Sequence, residues 1–218
     1  MSITPDSVRE LLQSQDLGDR LRGVNQLRQL DPAIAFELIQ TPVIDGNTRV
    51  RYAAISQLAS LGSQNSQVSL RLLKAGLFDP EPDVQSAAAD SISALKLTEA
   101  YGDLEKLYRR SSEWLVKFSI VAALGELGEP SSFDLLSEAL QSDNELLQTA
   151  AIGSLGELGD GRAVALLIPF ATNSDWQIRY RVVQALRQFD TLEARSTIET
   201  LTHDEVEQIA EQARLALT

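Results

Sequence analysis

The chain has 218 residues, 44% hydrophobic and 23% charged, with a net charge of −12 at pH 7 and a pI near 4.5. This length and apolar share fit one compact domain or one short repeat stack. The absence of cysteine excludes disulfides, thiolate metal sites and a cysteine nucleophile, and the acidic balance disfavours nucleic acid or an anionic membrane as partner.

Met1 to Asp6 lack a basic region followed by an apolar run, so no signal peptide is expected. No stretch approaches the roughly 18 apolar residues that span a bilayer. Thr4-Pro5 opens a first helix that runs to about Ser14, with threonine as cap and proline at the first helical position. Its partner is expected over Arg20 to Leu30, after a turn at Gly18-Asp19. Asp31-Pro32 repeats the cap-then-proline signal and starts Ala33 to Gln40. Asp45-Gly46-Asn47 turns the chain into Arg49 to Leu61. Gln67 to Ala75 and Asp83 to Leu95 follow, separated by the stiff Asp79-Pro80-Glu81-Pro82 break. Thr98 to Arg109 pairs with Glu113 to Leu127, Ser131 to Gln141 with Asn144 to Leu158, Arg162 to Thr172 with Asp175 to Phe189, and Thr191 to Leu201 with Asp204 to Leu217. The G-E-L-G sequences at Gly125 to Gly128 and Gly156 to Gly159 read as helix ends, and Pro169 should kink its helix.

These seven helix pairs repeat one unit. Leu27, Leu58, Ile92, Leu124, Leu155, Leu186 and Leu215 form one column, with successive spacings of 31, 34, 32, 31, 31 and 29. A period this regular in a helix-forming sequence predicts an all-α solenoid, a superhelix of about seven HEAT-like pairs in one domain spanning residues 1–218. Its core column holds Val50, Val84, Val116, Leu147 and Ile178; Asp19 and Glu207 fall in that column at the two ends and read as polar caps.

Counting from the core column as zero, the face away from the core holds positions −2, +2, +6 and +9. Trp114 and Trp176 stand at −2; Tyr52, Phe118 and Tyr180 stand at +2. Trp114/Phe118 and Trp176/Tyr180 are each four apart, one above the other on a helix. Ala122, Gly125, Gly153 and Gly156 make +6 and +9 small in the middle repeats. The second helix of each pair lines the concave side of such solenoids, so this pattern describes a trough with aromatic ridges and a shallow floor. The aromatics are either wedges between neighbouring repeats or a binding face, and the glycines mark close helix–helix approach, close ligand approach, or both. Arg20, Arg51, Lys117 and Arg179 occupy +1, with Arg22, Arg49 and Arg181 beside them. Each arginine either pairs with the turn acids just upstream (Asp16, Asp45, Asp175) or serves carboxylates of a partner.

Catalytic signals are sparse. The lone histidine, His203, lies at a terminal inter-helix turn, and there is neither a G-x-S-x-G elbow nor a phosphate-cradling glycine loop. Metal binding is not expected, and no catalytic constellation is evident.

The unit D-G-N-T-R-V-R-Y-A-A-I-S-Q-L-A-S-L-G (Asp45 to Gly62), with S-D-W-Q-I-R-Y-R-V-V-Q-A-L (Ser174 to Leu186), resembles the short HEAT-like repeat named after phycobilisome lyases. The period near 31 suits it better than the roughly 40–47 of ordinary HEAT repeats. Asp19 to Phe36, Ala87 to Ala100 (A-A-A-D-S-I-S-A-L-K-L-T-E-A) and Ser112 to Gly128 (S-E-W-L-V-K-F-S-I-V-A-A-L-G-E-L-G) resemble the NblB family of cyanobacterial phycobilisome degradation proteins, which is similar to the two-subunit bilin lyases of the E/F type. That resemblance implies a cytoplasmic protein, associated with phycobilisomes at the thylakoid surface. It would bind phycobiliprotein subunits (phycocyanin, allophycocyanin) and help detach their bilins in a lyase-like step. Lacking cysteine, the protein could hold phycocyanobilin only noncovalently. The expected bilin- or partner-binding residues on the concave face are Tyr52, Trp114, Phe118, Trp176, Arg179, Tyr180 and Arg181. The alternative is a HEAT-repeat interaction scaffold without catalysis.

Overall fold

The computed structural model describes residues 3–218, and these contain fourteen α-helices, short 3₁₀ turns and no strand. The helices are α1 Pro5–Leu12, α2 Leu17–Gln26, α3 Pro32–Ile39, α4 Thr48–Leu61, α5 Ser66–Gly76, α6 Pro82–Ala94, α7 Tyr101–Arg110, α8 Trp114–Leu127, α9 Ser132–Leu140, α10 Glu145–Leu158, α11 Ala163–Leu167, α12 Trp176–Leu186, α13 Leu192–Leu201 and α14 Glu207–Ala216. They are the seven expected pairs, α1/α2 through α13/α14, and the all-α repeat architecture read from the sequence is what the protein adopts. The chain divides into two compact units, Met1–Ile120 and Val121–Thr218. The division falls inside α8 rather than in a linker.

Local chemistry explains the helix ends. Thr4 and Ser7 form a reciprocal capping box at α1. Asp31, Asn47, Asn65, Asn144, Asp175 and Thr191 each accept a first-turn N–H at their own helix. Gly128 and Gly159 follow α8 and α10 with φ of 73° and 70°, a left-handed stop that glycine adopts without strain. Pro169 does more than kink its helix. It has no N–H to give and its ring crowds the preceding turn, so α11 stops at Leu167 and Ile168–Thr172 continue as a 3₁₀ helix.

In the unit of residues 1–120, the second helices of successive pairs pack in order, α2 on α4 and α4 on α6; in the other unit α10, α12 and α14 do the same. Val50, Val84, Val116, Leu147 and Ile178 are buried, as are Leu27, Leu58, Ile92, Leu124, Leu155 and Leu186. A column seven residues past the core position ties neighbours together. Gln57 Nε2 donates to the Val24 carbonyl at 2.8 Å and Ser91 Oγ to the Ile55 carbonyl at 2.9 Å, both buried.

The final repeat departs from the expected register. Leu215 is 61% exposed and Glu207 is exposed, whereas Ile209 is fully buried. Ile209 follows Ile178 by 31 residues, so it, and not Glu207, holds the core column. The short last spacing of the leucine column came from choosing Leu215 over Leu217. Glu207 pairs with Arg214 at the helix surface, and at the other end the half-buried Asp19 accepts a hydrogen bond from Ser14.

Candidate binding face

Three of the five column aromatics face water. Trp114 is 53% exposed, Tyr52 47% and Trp176 41%, while Phe118 and Tyr180 are half-buried. In the first unit, Trp114 and Phe118 stand one turn apart on α8, and Tyr52 lies on α4. In the second unit, Trp176 and Tyr180 stand one turn apart on α12, next to an exposed Arg181 whose Nη1 donates to Gln184 Oε1 at 3.2 Å. A single exposed apolar side chain is ordinary. Large aromatics left in water at the same repeat columns form apolar surface in each unit that the core does not use.

The small-residue floor divides into two kinds of position. A Cβ on Gly125 would lie 2.5 Å from the Ser154 Cα, and one on Gly156 would lie 2.7 Å from the Ala185 Cα. These glycines, at +9, are buried where α8 meets α10 and where α10 meets α12. They let the helix backbones touch and offer no floor to a ligand. Gly153, at +6, has no atom within 4 Å of the Cβ it lacks, and Ala122 is half-buried. The available face is therefore the −2, +2 and +6 columns, narrower than the sequence suggested.

The +1 arginines belong to the scaffold. Arg20 Nε lies 2.8 Å from Asp45 Oδ2, Arg51 Nε 2.7 Å from Asp79 Oδ2, and Arg179 Nε 2.7 Å from Asp204 Oδ2. The second oxygen of each aspartate accepts from Nη2, so every pair is a two-pronged fork. The partner is the turn of the following repeat, 25, 28 and 25 residues on, and neither the upstream acid nor another molecule's carboxylate, the two readings the sequence allowed. The upstream turn contributes backbone instead: Nη1 donates to the carbonyls of Ser14 and Gln15, of Asp45, and of Asn173 and Ser174. Each aspartate also closes its own turn, accepting the N–H of Asn47, Glu81 or Val206. One arginine thus clips three consecutive segments together.

Arg179 is consequently not available to a ligand or partner on the exposed side of α12. Its side chain is 8% exposed and that of Asp204 6%. Hydrogen bonding to Asp204, opposed by burial, raises the Arg179 pKa. Hydrogen bonding from Arg179, opposed by burial and helped by the Val206 N–H, lowers that of Asp204. For Asp79, burial is the largest influence and acts upward, but the Arg51 fork and the Glu81 N–H together hold the carboxyl below its ordinary value. Where the column lacks arginine, a glutamine still bonds an upstream carbonyl: Gln85 Nε2 donates to the Asp79 carbonyl, the equivalent of the arginines' acceptor, at 2.6 Å, and Gln148 Nε2 to the Leu140 carbonyl at 3.1 Å. Lys117 lies over the Tyr108 ring at 5.0 Å.

Among the described residues, no group of three or more His, Cys, Asp or Glu side chains could hold a metal ion, and no helix is long and apolar enough to cross a membrane. His203 is exposed, its Nδ1 3.0 Å from Thr202 Oγ1. Sequence reasoning passed over one feature, a cleft of about 390 Å³ in the first unit lined by α4, α6 and α8. Its signal was a small residue, Ser86, in a column that is aromatic on α4 and α8.

The profile for HEAT repeats matches residues 34–125, 70–152 and 134–218. No curated protein matches the chain by sequence. Among solved structures, the complex of CpcE and CpcF of phycocyanin lyase from Nostoc sp. is similar at 20% identity and a TM-score of 0.65, covering 100% of this chain and 94% of that one. YibA of Escherichia coli is similar at 19% identity and a TM-score of 0.71, covering 98% and 80%. An archaeal HEAT-like repeats protein from Thermococcus onnurineus is similar at 14% identity and a TM-score of 0.59, covering 100% and 97%. At these identities the likeness is one of fold.

Proposed function

This chain belongs to the HEAT-repeat family, and on that premise we propose that it docks phycobiliproteins, phycocyanin or allophycocyanin, through its aromatic columns and assists the detachment of their bilins as antennae are dismantled. The observation that carries the proposal is the exposure of Trp114 and Trp176 at one repeat column, and of Tyr52 at another on the same side, outside the core. Flat aromatic side chains suit a conjugated tetrapyrrole and are strong anchors in protein interfaces. The fold likeness to phycocyanin lyase, over nearly the full length of both chains, supports the antenna as the place of action. The bilin is held noncovalently, since the protein has no cysteine to attach it. Detachment then rests on positioning and on acid–base help from carboxylates or tyrosines.

A second reading, a docking scaffold without chemistry, is favoured by one observation. Arg179, the best sequence candidate for gripping a propionate, is committed to Asp204. Mixing the purified protein with chromophorylated phycocyanin and allophycocyanin, and following absorbance and covalent bilin content, separates the two. Loss of covalent bilin supports detachment. Unchanged bilin with co-elution on a sizing column supports the scaffold, and neither effect removes the antenna from the account.

A further inference from the structure

The aromatic columns leave a gap over α6. At +2, Tyr52 on α4 and Phe118 on α8 are large, but α6 has Ser86 there. The gap is the cleft of about 390 Å³, with α6 as its floor. This is within the roughly 300–1,000 Å³ of small-molecule sites, and its open mouth leaves room for a ligand longer than the cleft itself.

Several groups lining the cleft are not used by the scaffold. Arg49 is exposed, and its guanidinium makes no hydrogen bond or ion pair among the described residues, unlike the clipped Arg51 two positions on. Ser86 is 7% exposed, and its Oγ has no hydrogen-bond partner among the described residues. Tyr52 and Leu115 present 47% and 38% of their surface to solvent. Asp83, exposed in the first turn of α6, and Asp90 two turns on also line the cleft.

This set suits an elongated, flat molecule with an acidic side chain and N–H donors along its body. Resting on the bilin-handling reading above, we propose that the cleft over α6 seats a linear tetrapyrrole. Arg49 takes a propionate in a two-pronged fork. Tyr52 and Leu115 cover the conjugated plane. Asp83 accepts a pyrrole or lactam N–H. The seat lies entirely within residues 1–120 and uses none of Trp176, Tyr180 or Arg181.

The test is a visible-absorbance titration of the full-length protein with free phycocyanobilin and with its dimethyl ester, which lacks the carboxylates. The wild type should bind the acid about tenfold more tightly than the ester, the scale of one charge-assisted hydrogen-bonded pair. Arg49→Met should bind both forms alike, at the level of the wild type with the ester. Ser86→Ala should bind as the wild type does at an unchanged or slightly raised melting temperature, because it removes only a covered, unpartnered hydroxyl beneath the cleft. Discrimination by Arg49→Met equal to that of the wild type would overturn the proposal, as would a wild type that binds neither form. If Trp176→Ala loses bilin while Arg49→Met keeps it with wild-type discrimination, the cleft is not the seat but the broader function stands. If phycocyanin is neither bound nor altered, the broader function falls independently of the cleft.

Discussion

Arg179 and Trp176 stand three residues apart on α12, and they have opposite roles. Arg179 is buried, forked to Asp204 and bonded to two turn carbonyls. Trp176 is 41% exposed at the neighbouring column. The same division holds in the first unit, where Arg51 is clipped to Asp79 while Tyr52, the next residue, is open. One helical step of about 100° separates Arg51 from Tyr52, and three steps, about 60° the short way round, separate Arg179 from Trp176. What distinguishes them is whether a partner exists at the right distance, and that partner sits 25 to 28 residues away.

Breaking the scaffold column should give the largest effect. Arg179→Ala leaves Asp204 buried without its partner and should cost about 3 kcal/mol or more in urea unfolding. Gly156→Ala is next. Its new Cβ meets the Ala185 backbone, and the forced separation of α10 and α12 should cost about 1–3 kcal/mol. Trp176→Ala should cost only about 1 kcal/mol while weakening any phycobiliprotein complex, measured by titration beside the melting curve. Gly153→Ala reverses the sign. Its position is open, so the gain in helix propensity should stabilise the protein by up to about 1 kcal/mol.

Acid sharpens the same contrast. Asp79 and Asp204 titrate below their ordinary value in the folded protein. Their contribution is therefore complete above the unfolded carboxylate pKa of about 4 and is lost as pH falls through the depressed folded values. Melting temperature followed from neutral pH down to about pH 2 should show this loss in the wild type and a smaller one in Arg179→Met. The arginine side of each pair, raised above an already high value, adds no transition in this range.

The repeat itself was legible because a hydrophobic column at a spacing near 31 survives any uncertainty about helix ends. Its register failed at the last unit, where leucines at 215 and 217 compete and only burial shows that Ile209 holds the core. The aromatic columns could be read from helical spacing alone, since exposure away from a core is a local property of one helix. The fate of the arginines could not. An R-x-R pattern looks the same whether its carboxylate lies in the upstream turn, the downstream turn or another molecule, and Asp45, Asp79 and Asp204 come into range only when repeats stack. The glycines divided for the same reason: Gly153 and Gly156 share a helix and a composition signal, but only Gly156 has a neighbour's backbone against it. Ser86 was invisible as a site residue because its importance is the absence of a ring in an aromatic column.

The most direct test of the account is a titration of chromophorylated phycocyanin against the wild type and a Trp114→Ala/Trp176→Ala double variant, with an unfolding curve on each sample. The account predicts binding weakened at least tenfold, with a stability loss smaller than that of Arg179→Ala. Unchanged binding, together with a loss as large as that of the broken clip, would mean that the tryptophans are wedges between repeats and would contradict it.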